Sequence, residues 1–116
     1  MDSILTSIKL QLGISEEDDS FDTQLIIHIN SVLSDLYQLG IGKEGFVIED
    51  EYSTWTDFIP YDILCKLIGI ETYVYMRVKL IFDPPVNSAV LTSMQQQIDR
   101  FEWRLNVTAE SLNSES

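Results

Sequence analysis

Two consecutive prolines, Pro84 and Pro85, stand between the two longest apolar-patterned stretches of this chain and dictate a corner between them. Each proline removes a backbone donor and restricts the residue before it, so no helix runs through Asp83, Pro84 and Pro85. On either side the apolar residues recur at helical spacing. Before the corner, residues 60–82 carry Ile63, Leu64, Leu67, Ile68, Tyr73, Val74, Tyr75, Val78, Ile81 and Phe82, a band too wide for one shallow face, which reads as a central helix opened by Pro60. After it, Val90, Met94, Ile98, Phe101 and Leu105 recur at steps of four, four, three and four, the core stripe of a last helix capped by Asn87 or Ser88.

The first half of the chain supplies two more helices. Ile4, Leu5, Ile8 and Leu12 predict a short helix over 3–12, capped by Ser3 or Asp2 and ended near Gly13. An acidic connection, ISEEDDS, leads to Ser20 as the expected cap of a longer helix over 21–39. Leu25, Ile29, Val32 and Leu36 form its stripe, and Gly40 ends it. Residues 41–59 then form a long loop, rich in acids and aromatics, with one short extended or one-turn helical piece near 52–56. Its aromatic residues must pack back on the domain or meet a neighbour. The expectation is an all-α domain over 1–106, a small bundle of about four helices with this loop between the second and third, followed by a polar, flexible tail over 107–116.

Charge narrows the function. Nineteen Asp and Glu against seven Lys and Arg give a net of -12, which opposes binding to phosphate backbones or anionic lipid. The excess is uneven: residues 1–62 hold 13 acidic and 2 basic groups, residues 63–116 hold 6 and 5. One surface should therefore carry most of the field. Cys65 is the single cysteine, which excludes an intrachain disulfide and reads as a packing residue on the buried side of the third helix. The N-terminal MDSILTSIKLQLG has no basic leader, no apolar run approaches the ~20 residues of a membrane span, and the reading is cytosolic. The Asn106, Val107, Thr108 triplet is then a chance match to a glycosylation pattern.

Nothing in the sequence assembles a catalytic centre. His28, the sole histidine, lies between Ile27 and Ile29 without a signalled orienting partner. Glu16, Glu17, Asp18, Asp19 and Asp22 lack the glycine and ligand spacing of a calcium loop, and Asp50 beside Glu51 sets no glycosidase-like separation. Gly40, Gly42 and Gly45 come without the Lys and hydroxyl pair of a phosphate loop. The reading is a non-enzyme with no cofactor and no metal.

The order of features, a short helix, an acidic connection, a long helix, a variable loop, a helix ending in FDPP, and then VNSAVLTSMQQQIDRFEWRLNV, resembles the small head-tail connector, or adaptor, proteins of tailed bacteriophages and prophages over about residues 3–106. The resemblance implies a structural subunit of the virion neck, held in the host cytoplasm before assembly. It implies a ring of roughly twelve copies under the portal protein, joining the DNA-filled head to a stopper or tail-completion protein, with double-stranded DNA passing and no membrane. By position, residues 82–85 match the family's break after its central helix, and Val90, Met94, Ile98, Phe101 and Leu105 its last core helix. Glu49, Asp50, Glu51, Tyr52 and Trp55, with Glu16, Glu17, Asp18 and Asp19, are the candidate interaction or lumen-facing residues. The competing reading is an acidic helical interaction protein, a nucleic-acid mimic occupying the basic cleft of a host enzyme.

Overall fold

The computed structural model describes residues 3–114. They form six helices: α1 Ile4–Gln11, α2 Asp22–Gln38, α3 Trp55–Phe58, α4 Tyr61–Leu64, α5 Ile70–Phe82 and α6 Ser88–Ser114. The fold is all-α, and the only β pairing among the described residues is an isolated antiparallel bridge between Ser3 and Thr54. Helix α5 is the centre: α1 and α2 pack on it, and α6 packs on it separately. Leu25, Ile29, Val32, Leu33 and Leu36 of α2 meet Tyr73, Val74 and Val78 of α5 within one core, so the α2 stripe is placed as its spacing predicts.

Local chemistry sets the helix ends. Ser3 Oγ accepts from the Thr6 amide at 3.1 Å, capping α1; Asp2, the other candidate cap, lies outside the described residues. Ser20 is not the cap of α2. Its own amide donates to Asp18 Oδ1 at 3.0 Å, which closes a turn ahead of the helix and leaves Phe21 at the cap position. Asn87 caps α6 as expected, its Oδ1 accepting from the Ala89 and Val90 amides at 2.8 and 3.2 Å.

The continuous helix expected over 60–82 is broken. Pro60 opens only the single turn α4, the chain turns through 65–69, and α5 starts after Gly69. Gly69 has φ +89°, a left-handed conformation that a glycine adopts without steric cost, and a β-carbon there would collide with the Phe101 ring. The break thus seats α6 against the start of α5. It also turns Cys65 outward, so the thiol is exposed rather than packed in the core.

Helix α6 departs from its predicted pattern at both ends. Ile98 and Leu105 are buried and Met94 and Phe101 half-buried, but Val90 is 50% exposed. Its first turns lie beside the open end of α5, where Ile81 is itself 54% exposed. Beyond residue 107, where a polar tail was expected to begin, the helix continues to Ser114, because Leu105, Ala109 and Leu112 prolong the stripe and Ala109 is buried. Residues 115 and 116 lie outside the described set.

The long loop packs back on the domain. Ile41, Ile48, Trp55, Phe58 and Ile59 all enter the core. Asn30 of α2 clamps it with two hydrogen bonds to one residue, Nδ2 donating to the Ile48 carbonyl at 3.0 Å and Oδ1 accepting from the Ile48 amide at 2.8 Å. Trp55 Nε1 donates to Ser7 Oγ at 3.0 Å, tying α3 to α1.

Replacing Gly69 by alanine should destabilise the fold by roughly 1–3 kcal/mol, since the substitution meets an unfavourable φ and the Phe101 ring together. Urea unfolding should show a lower midpoint with an unchanged slope, and a midpoint equal to wild type would contradict the packing described.

Candidate functional site

The molecule presents two unlike sides. On one, α1 is flanked by both acidic segments: Glu16, Glu17 and Asp19 from the connection before α2, and Glu51 from the loop, line a cleft of about 320 Å³ with Leu5, Thr6, Lys9 and Asp22. A neighbouring cleft of about 430 Å³, lined by Leu10, Glu16, Glu51 and Tyr52 among others, runs along the same helix. Acids some thirty-five positions apart are thus gathered around one helix.

Lys9, which the sequence reading did not single out, organises this side. Although its residue is only 3% exposed, its ammonium sits 2.9 Å from Asp22 Oδ1 and donates to the Glu16 carbonyl at 3.2 Å. The Asp22 contact lies off the hydrogen-bond axis and acts as an ion pair. A buried cation needs such partners, and the one lysine within this acidic side is therefore already committed. Its place on the inward face beside Leu5 and Ile8, one step from an acidic run, was the available signal.

Hydrogen bonds favour the charged form of two of the surrounding carboxylates. The Ser15 hydroxyl, 2.6 Å from Glu17 Oε2, lowers the Glu17 pKa, and hydrogen bonding from Ser20 lowers that of Asp18. Glu16, Glu17, Asp18, Asp19, Glu49, Asp50 and Glu51 are all exposed, and Asp50 Oδ1 accepts from the Tyr52 amide at 2.9 Å. Tyr52 is 77% exposed, as a contact residue would be. Trp55 is not such a residue: its ring is buried, because its indole is spent on the α1 contact. Asp83 and Pro84 are exposed at the corner, with Pro85 half-buried.

The second side is the outward surface of α6, with Trp103 67% and Val107 44% exposed and Arg100 and Arg104 beside them. Between the sides runs a polar chain through three helices. Asp35 of α2 accepts from Arg77 Nη2 at 2.6 Å, Arg77 Nη1 donates to Tyr73 Oη at 2.8 Å, and Tyr73 donates to Glu102 Oε2 of α6 at 2.9 Å. Burial pushes the Tyr73 phenol up to about 12, with Glu102 also raising it and Arg77 opposing. His28 is half-buried on α2. Among the described residues no three His, Cys, Asp or Glu side chains converge on a metal position. No helix there is long and apolar enough to cross a membrane.

A family model described as phage connector protein matches residues 4–111, from the first residue of α1 into the last turns of α6. The chain belongs to the phage connector family. No curated protein and no solved structure matches it. The match spans all six helices, so the Gly69 break, the proline corner and the acidic α1 side all fall within it. The family is a structural one, of head-tail connectors, and its role in this connector is structural.

The Tyr73 phenol gives the connector a defined alkaline limit. Its proton is held more tightly folded than unfolded, so the stability it confers is intact below pH ~10 and falls as pH rises toward 12. The unfolding free energy of wild type should drop more steeply across that window than that of Tyr73→Phe, measured by urea unfolding at stepped pH. Equal slopes would contradict the assignment.

Proposed function

We propose that this connector assembles as a ring of roughly twelve copies beneath the portal protein, and joins the DNA-filled head to the stopper or tail-completion protein at the virion neck. The carrying observation is the family match over 4–111. The segregated charge supports it: a conduit for packaged DNA must not adhere to it, and acids repel phosphate where a basic lining would bind it by releasing counterions. In this reading the Glu49 and Asp50 end of the acidic rim faces the passing duplex, which slides by without specific contact. The C-terminal turns of α6, beyond residue 106, meet the axial partner. Before assembly the subunit resides in the host cytoplasm.

Native mass spectrometry of the full chain mixed with its portal tests this. The expected species is a portal bound by one closed ring of connector copies. A portal that binds no copies, or only scattered ones without a preferred closed number, would refute the proposal.

A further inference from the structure

Seven cations serve this chain, and their use is uneven. Lys9, Arg77 and Lys79 are committed to ion pairs with Asp22, Asp35 and Asp83. Arg100 and Arg104, by contrast, form no salt bridge among the described residues and lie exposed on α6. With 3.6 residues per turn, Arg100, Trp103, Arg104 and Val107 fall within an arc of about 100°, opposite the arc of Ile98, Leu105 and Ala109 that faces the core. Arg104 is steadied by stacking over the Phe101 ring, 4.5 Å from its centroid. The strip is basic and apolar at once, with an indole 67% exposed at its middle, in a chain whose net charge is -12.

Its complement is on the same molecule, around α1, while α6 itself packs on α5 rather than on α1. The cleft of about 430 Å³ along α1 has Leu10, 60% exposed, and Tyr52 in its walls, with the carboxylates of Glu16 and Glu51 beside them. Lys9, the nearby cation, is occupied by Asp22 and the Glu16 carbonyl, so those carboxylates await a cation from outside. Ser3, Thr6 and Ser7 complete the lining, so the cleft offers two large side chains and hydroxyls flanked by acids to an indole flanked by arginines.

We infer that the outward face of α6 docks on the α1 cleft of a second copy, Trp103 entering beside Leu10 and the Arg100 and Arg104 guanidiniums meeting Glu16 and Glu51. The contact is heterologous, since each copy offers a different patch on each side, and such contacts propagate from copy to copy until they close. The inference rests on the ring reading above and names its interface. The Glu49 and Asp50 end of the rim is left free to face the conduit.

Sedimentation velocity of the full chain over a concentration series, at fixed physiological ionic strength, tests it. Wild type should self-associate, and Trp103→Ala should weaken association about tenfold or more. The pair Arg100→Glu with Arg104→Glu should also abolish association, as should Glu16→Arg with Glu51→Arg, because each places like charges across the contact. Mixing these two charge-reversed proteins restores opposite signs at every contact, and association should return. All the changed residues other than Arg104 lack packing in the core, and circular dichroism should show unchanged helix content. Wild type that stays monomeric, variants that associate as well as wild type, or a mixture that fails to associate would each overturn the interface. Portal-bound rings seen despite such a result would leave the proposed function standing, whereas no closed ring on the portal would remove it independently.

Discussion

The structure depends on α5 being held between two unlike layers. Its apolar residues Tyr73, Val74 and Val78 are buried, while the polar edge of the same helix links α2 to α6 through Asp35, Arg77, Tyr73 and Glu102. A buried phenol with both a donor and an acceptor in place is satisfied, whereas losing either partner would leave a desolvated hydroxyl unpaired. Gly69 sets where this helix begins and lets the Phe101 ring close on it. The acids gathered around α1 and the exposed Arg100 and Arg104 of α6 are carried by different helices that each pack on α5.

Periodicity made most of the helical layout legible. The α2 stripe, the Ser3 and Asn87 caps, the proline corner and the centrality of the segment before it are all present in the residue pattern. What the pattern hid had physical reasons. Apolar residues continue on both sides of Gly69, so periodicity alone concealed a left-handed break that only the approach of Phe101 makes necessary. The polar composition after Val107 masked a stripe of small and apolar residues, Ala109 and Leu112, whose burial carries α6 to Ser114. Val90 fits the stripe in sequence, yet no element covers it at the open end of the α5 and α6 pair.

The candidate surface was legible in part. Clustering of acids along the sequence identified both runs, but not that α1 brings them together, because the contact depends on the Asn30 clamp and the Trp55 to Ser7 hydrogen bond placing the loop. Trp55 looked like a contact residue and is instead a structural pin, while Trp103 is the exposed indole. A single lysine in a short helix ordinarily points to solvent, and only the position of Lys9 on the inward face beside Leu5 and Ile8 sets it apart.

Under the proposed function, charge display is what links this fold to the virion neck. Family membership supplies a structural role, and in the proposed neck the clustering of acids is the reason one surface borders moving DNA while another meets protein. The most direct measurement is cryo-electron microscopy of the assembled neck. The account predicts Glu49 and Asp50 of every copy on the channel wall. A reconstruction placing these residues and the rest of the acidic α1 side wholly on the outer surface of the ring would contradict it.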